Sequence, residues 1–120
     1  MPNYMLLLHE QPSDFAGVSA AEMESIIGEY MAWRQKLVDE GKFVGSAKLR
    51  DEGGRIISGT KGDFRVTDGP YTEAKEVIGG YFTISAADYD EAVNIARECP
   101  HSKYGSRIEV REVEMMPTTE

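Results

Sequence analysis

Only two segments of the chain have the apolar periodicity of a helix, and strand-like segments lie before, between and after them. The first helical segment begins after Ser19, which has Glu22 three residues later in the spacing of a capping box, and it ends at Gly41. The second follows Asp88 and stops at Pro100, which cannot continue a helix. Since two helices cover only one face of a sheet, this order predicts a small α+β architecture.

The first helical segment is amphipathic, with its charged side chains opposite one broad apolar face. We expect that face to pack on the sheet. Its members are Met23, Ile26, Ile27, Tyr30, Met31, Trp33, Leu37 and Val38.

Short apolar or alternating runs predict the strands. They span residues 4–9, 43–49, 55–58, 64–67, 81–85 and 108–113. Glycines at 53–54 and 62 allow tight reversals, so the middle runs form a hairpin region. The predicted fold is α+β: a ferredoxin-like β-α-β-β-α-β sheet with an extended central hairpin and two helices on one face.

The face of this sheet that the helices leave open has a mixed composition. In the last strand, alternation places Ile108 and Val110 toward the helices and Glu109, Arg111 and Val113 on the open face. A sheet face of this kind is covered by another layer or encloses a ligand. We therefore expect a homodimer in which the open face is buried.

Length and charge limit the partners. The 120 residues fit one domain, residues 1–120, and the net charge of −8 repels nucleic acid and anionic membranes. Small molecules and proteins, including a second copy of the chain, remain as expected partners. The single Cys99 cannot form an internal disulfide, and the N-terminus has no signal-peptide pattern, so a cytoplasmic location is expected.

The segment DGPYTEAKEVIGGY, residues 68–81, resembles the signature of the DGPF family among the YCII-related proteins. The resemblance continues in the YMLLL strand, in Trp33 and Gly41, in Pro100-His101 and in the closing IEVR. Tyr71 stands where the family name implies Phe, which keeps the ring and adds a hydroxyl. The resemblance implies a ferredoxin-like fold that dimerises as an α+β barrel with its sheets face to face. It also implies a His-Asp pair in a cleft, as proposed for YCII relatives, and related barrels include isomerases, lyases and oxygenases.

Three residues are candidates for acid/base chemistry. His9 and His101 are the two histidines, each at the boundary of a predicted element, and imidazole exchanges protons near neutral pH. The alternatives are that His9 packs at a strand end and that His101 satisfies the last helix carbonyls. Asp68 either fastens the Asp-Gly-Pro turn or faces a cleft and orients a histidine.

Arg34 is an unexpected charge, because it projects onto the middle of the apolar helix face between Tyr30 and Leu37. It either reaches the sheet edge or pairs with a carboxylate such as Glu109 or with an anionic ligand. We expect pairing.

Other polar residues are candidate ligand-binding groups. Tyr71, Glu73 and Lys75 lie in the long turn-rich segment, and Glu109 and Arg111 lie on the open sheet face. Long polar loops in small domains are often functional, although solvated charge also explains them.

The sequence contains no phosphate-binding glycine loop, no Cys/His metal spacing and no serine nucleophile elbow. We therefore expect neither a metal nor a cofactor. One hypothesis is a cofactor-free small-molecule enzyme of lyase, isomerase or hydrolase type using a His-Asp acid/base pair. The alternative is a non-catalytic dimeric module that binds a ligand or a protein, and a third is a structural dimer.

Overall fold

A computed structural model describes residues 1–11, 17–52, 54–68, 76–104 and 106–116. In chain order the elements are β1 (Asn3–Glu10), α1 (Ala20–Asp39), β2 (Phe43–Lys48), β3 (Arg55–Thr60), β4 (Asp63–Asp68), β5 (Val77–Ser85), α2 (Tyr89–Arg97), a 3₁₀ helix (Pro100–Tyr104) and β6 (Ile108–Val113).

Four of these strands form an antiparallel sheet in the order β2-β5-β1-β6, while β3 and β4 pair with each other as a separate hairpin. This order is that of a ferredoxin-like sheet with a hairpin inserted between β2 and β5, so the predicted α+β class and extended hairpin are confirmed. Strand β5 begins four residues before the predicted position 81.

Both helices begin as the sequence predicts. The N–H of Glu22 donates to Ser19 Oγ at 3.1 Å, and the N–H of Glu91 donates to Asp88 Oδ1 at 2.9 Å. Each bond satisfies a backbone donor that the first helical turn leaves without an intrahelical partner. Ser19 and Asp88 therefore determine where the loops that follow β1 and β5 end and the helices begin.

The core lies between the helices and one face of the sheet. From β1, Tyr4, Leu6 and Leu8 point into it, as period-2 alternation requires. The other buried apolar members are Trp33, Leu37, Ile84, Ala86, Ala92, Ile95, Ala96 and Cys99. Ile108 and Val110 pack against this cluster, which confirms their predicted side of β6.

The buried stripe of α1 is narrower than the predicted face. Ile26, Trp33 and Leu37 are buried, whereas Ile27, Met31 and Val38 are exposed. The helix lies on a single layer, so only side chains along one line reach the sheet. The prediction that Ile27, Met31 and Val38 pack on the sheet is therefore wrong for the isolated chain.

Neither α-helix of the residues that the structure describes packs on the opposite face of the sheet. The register pairs Leu7 with Glu109 and Met5 with Arg111, and alternation turns these four side chains away from the core. Neither α-helix of the described chain has the length and apolar character needed to cross a bilayer.

Candidate functional site

The candidate site lies at the end of β1, where the sheet pairing becomes irregular. Leu8 pairs with Gly80 of β5 but His9 pairs with Ile78, so one residue of β5 is left over as a bulge. On the other side, His9 N–H donates to Arg107 O at 2.9 Å, beyond the last paired residues of β1 and β6. Since Leu8 is buried in the core, His9 points toward the open face.

The imidazole of His9 lies between two carboxylates. Nε2 is 2.9 Å from Glu109 Oε1, and Nδ1 is 3.3 Å from Glu76 Oε1. The His9 side chain is 16% exposed, so only a small part of the ring is in contact with solvent. When both ring nitrogens carry protons, His9 donates to both carboxylates; when one does, the ring has a nitrogen free to take up a proton.

Each of the two carboxylates is also bound by an arginine. Arg107 makes two bonds to Glu76, one of them from Nε to Oε2 at 3.0 Å, and an Arg111 guanidinium nitrogen lies 3.4 Å from Glu109 Oε2. The bond from Arg107 holds the pKa of Glu76 below its ordinary value. The bond from His9, followed by Arg111, does the same for the pKa of Glu109. We call these five residues, His9, Glu76, Arg107, Glu109 and Arg111, the His9 cluster.

His101 lies beneath the cluster rather than in it. Its side chain belongs to the 3₁₀ helix after α2, and the residue is only 4% exposed. Nε2 is 2.5 Å from the carbonyl oxygen of His9, and Nδ1 is 2.8 Å from Tyr30 Oη of α1. The two histidines are thus joined through a backbone carbonyl.

The structure does not bring Asp68 to either histidine. Its side chain is 93% exposed at the end of β4, and its described ion pair is with Arg55 at 3.7 Å, the residue opposite it in the hairpin. Within the described chain, the carboxylates at His9 are Glu76 and Glu109 instead.

Arg34 lies on α1 with its guanidinium carbon 4.5 Å from the centre of the Phe43 ring. The residue is half-buried, and this geometry is a cation–π contact. The described contacts of Glu109 are with His9 and Arg111 and not with Arg34.

Three candidate ligand residues, Tyr71, Glu73 and Lys75, lie outside the described residues. Two members of the His9 cluster, Glu76 and Arg107, were absent from the predicted site. For Arg107 a signal existed: positions 107, 109 and 111 alternate Arg, Glu and Arg on one strand face.

The His9 cluster can carry a proton at a half-buried imidazole and can attract an anion through two exposed arginines, 72% and 69% exposed at Arg107 and Arg111. Its imidazole and two carboxylates, those of His9, Glu76 and Glu109, are of the types that bind metals, but their arrangement does not form a metal site. The residues that the structure describes contain no arrangement of His, Cys, Asp and Glu that could hold a metal ion.

Comparison with known proteins agrees with the resemblance seen in the signature segment. The profile of the YCII-related domain matches residues 3–117. An uncharacterized protein of Rhizobium meliloti (strain 1021) is 30% identical over 96 residues, which cover 79% of this chain and 77% of the relative.

Proposed function

The chain belongs to the YCII-related family, and from that premise we propose that it is a homodimeric, cofactor-free small-molecule enzyme in which His9 and Glu109 transfer a proton. The reaction class is that of a lyase, an isomerase or a hydrolase, in which a proton moves to or from the substrate.

The observation that carries this proposal is the contact between His9 Nε2 and Glu109 Oε1 at 2.9 Å on the open sheet face. A carboxylate in this position orients the imidazole by accepting a hydrogen bond from Nε2. The 16% exposure of His9 leaves the ring reachable while removing much of its contact with water. These are the properties expected of a general acid or base.

We give the carboxylate role to Glu109 and not to Asp68. The Asp68 side chain is 93% exposed and faces Arg55 across the hairpin, whereas Glu109 contacts the ring directly. A carboxylate that orients a histidine must lie within hydrogen-bond distance of it.

The homodimer would cover the open face. In the single chain that face carries half-buried side chains such as Met5, Leu7 and Tyr81, and no helix of the described residues packs on it. The β3–β4 hairpin also exposes Ile57, Phe64 and Val66 on one of its faces, and an isolated two-stranded hairpin is marginally stable in water. Packing two open faces together buries both sets of side chains and encloses the His9 cluster.

Sedimentation velocity at micromolar concentration tests the dimer. We expect one species of twice the chain mass, because a specific interface buries more than about 1,000 Å². Met5→Asp on the open face should dissociate it, whereas Met31→Asp on the exposed side of α1 should not. A clean monomer at this concentration would refute the dimer.

Proton transfer can be tested without knowing the substrate. We would incubate the protein in D₂O with a panel of small carboxylic acids and cyclic ketones and follow loss of the α-proton signals by NMR. We expect exchange above the buffer rate for at least one compound, and a fall of about 10²-fold or more in His9→Asn and Glu109→Gln.

The controls separate the carboxylates. Glu98→Gln, in an exposed ion pair with Lys36, should keep the wild-type rate. Asp68→Asn should also keep it, because its side chain lies in solvent. If Asp68→Asn lost proton exchange while Glu109→Gln kept it, Asp68 and not Glu109 would be the carboxylate that acts in proton transfer.

A second candidate is a dimeric ligand-binding module without catalysis. The observation in its favour is that Glu76 and Glu109 are already bound by Arg107 and Arg111, which suits a rigid recognition surface. Saturable binding of a panel compound with no proton exchange would support it and would exclude the enzyme for that compound.

A further inference from the structure

We infer that His101 is a positioning residue, whose buried imidazole holds the backbone of His9 so that the His9 ring faces Glu109. This role rests on the proposed function of His9 and differs from direct proton transfer by His101.

The backbone of His9 lies where regular strand pairing is lost. The β5 pairing is bulged between Leu8 and His9, and the paired residues of β1 and β6 end at Leu8 and Ile108. Bulges change the direction of side chains next to functional sites, and a residue at such a point needs other restraints to hold one orientation. The bond from His101 Nε2 to the His9 carbonyl is such a restraint.

The hydrogen-bond partners of His101 determine its tautomer. A carbonyl oxygen only accepts, so Nε2 must carry the proton that it donates to His9 O. In the neutral ring Nδ1 is then an acceptor, and Tyr30 Oη donates to it.

The same contacts remove His101 from direct chemistry. The side chain is 4% exposed and its two ring nitrogens are directed into the fold, one at Tyr30 and one at the His9 backbone, so a substrate does not reach the ring. Instead the ring links α1, the 3₁₀ helix and β1 at one point. An error in the position of His9 of about 1 Å can cost about 10²-fold in rate, so this link determines whether the pair with Glu109 forms.

The test uses His101→Leu, which removes the donor, and His101→Gln, whose amide N–H can still donate to the carbonyl. Ile95→Ala is the control for lost core packing, because Ile95 is buried in α2 but has no bond to His9. Since the chain has two histidines, long-range ¹H–¹⁵N NMR spectra resolve the ring nitrogens of His9 without ambiguity.

We expect the His9 nitrogen signals to move in His101→Leu and to remain as in the wild type in His101→Gln and Ile95→Ala. Where proton exchange is observed, it should fall about 10²-fold in His101→Leu and be largely restored in His101→Gln. A folded His101→Leu variant with wild-type His9 signals would overturn the inference. The NMR result does not require activity, so failure of the proposed enzyme would be seen separately as absent exchange in the wild type.

Tyr30→Phe covers the case in which His101→Leu does not fold. It keeps the aromatic ring but removes the hydroxyl that holds His101 Nδ1. We expect the His101 ring to be held less firmly, and the nitrogen signals of His101 and His9 to shift or broaden. Unchanged signals from both histidines in Tyr30→Phe would contradict the role.

Discussion

The carboxylate of Glu109 accepts a hydrogen bond from His9 Nε2 at 2.9 Å across one hundred positions of sequence. This bond, with Arg111, lowers the pKa of Glu109 in the folded chain, and Arg107 with His9 lowers that of Glu76. The unfolded chain therefore binds more protons as the pH falls through the carboxyl range.

The first prediction concerns this pH dependence. The two carboxylates contribute stability that is present above the ordinary glutamate pKa of about 4.3 and is lost as pH falls through their lowered values. The double variant Glu76→Gln/Glu109→Gln should therefore lose less unfolding free energy than the wild type between neutral and acidic pH. Urea titrations at both pH values measure this. As a control, Glu24→Gln, which is outside the ion pairs of the described residues, should lose as much unfolding free energy as the wild type. An equal loss in all three proteins would contradict a stabilising role of the two carboxylates.

The second prediction compares two glycines. A Cβ at Gly80 would lie 2.8 Å from the backbone oxygen of Ala47 on the neighbouring strand, whereas one at Gly28 meets nothing within 4 Å. Gly80→Ala should destabilise by about 1–3 kcal/mol because two strand backbones would have to separate. Gly28→Ala, in the exposed interior of α1, should stabilise by about 0.5–1 kcal/mol. Chemical denaturation measures both, and equal changes would show that the close approach at Gly80 has no energetic effect.

The third prediction tests the contact of Arg34 with Phe43. The guanidinium over the ring should give a coupling energy of about 0.5–1 kcal/mol in a double-mutant cycle of Arg34→Met and Phe43→Leu. Arg34→Met alone should be well tolerated, because its aliphatic stem packs in the same place. A coupling near zero would contradict the cation–π contact, whereas a large loss of stability from Arg34→Met alone would indicate an anionic partner for Arg34.

The fourth prediction concerns the thiol of Cys99. Burial raises its pKa to about 11, and the residue is 0% exposed in the core beside α2. Because the thiolate is the nucleophile, the folded protein should react with an aromatic disulfide reagent at least about 10²-fold more slowly than the protein in urea at the same pH. Equal rates would place the thiol at the surface. The raised pKa also predicts that stability falls as the pH rises from the ordinary thiol value of about 8.5 toward 11.

Local spacing in the sequence determined the helices, the strands and the faces of β6. Ser19 and Asp88 cap the helices because a capping bond joins residues only three positions apart. Glu109 and Arg111 share the open face because strand side chains alternate with a period of two. Such signals need no knowledge of the rest of the chain.

Which polar groups meet depends on contacts between elements that are far apart in the sequence. The sequence offered His9, His101 and Asp68 as one constellation, but the inserted hairpin places Asp68 opposite Arg55, away from both rings. The bulge beside His9 and the pairing of β1 with β6 bring His9 to Glu109, and folding of the 3₁₀ helix brings His101 to the His9 carbonyl, 92 positions away. These contacts depend on strand register and on a one-residue irregularity, which hydrophobic periodicity does not encode because the same apolar pattern is compatible with several registers.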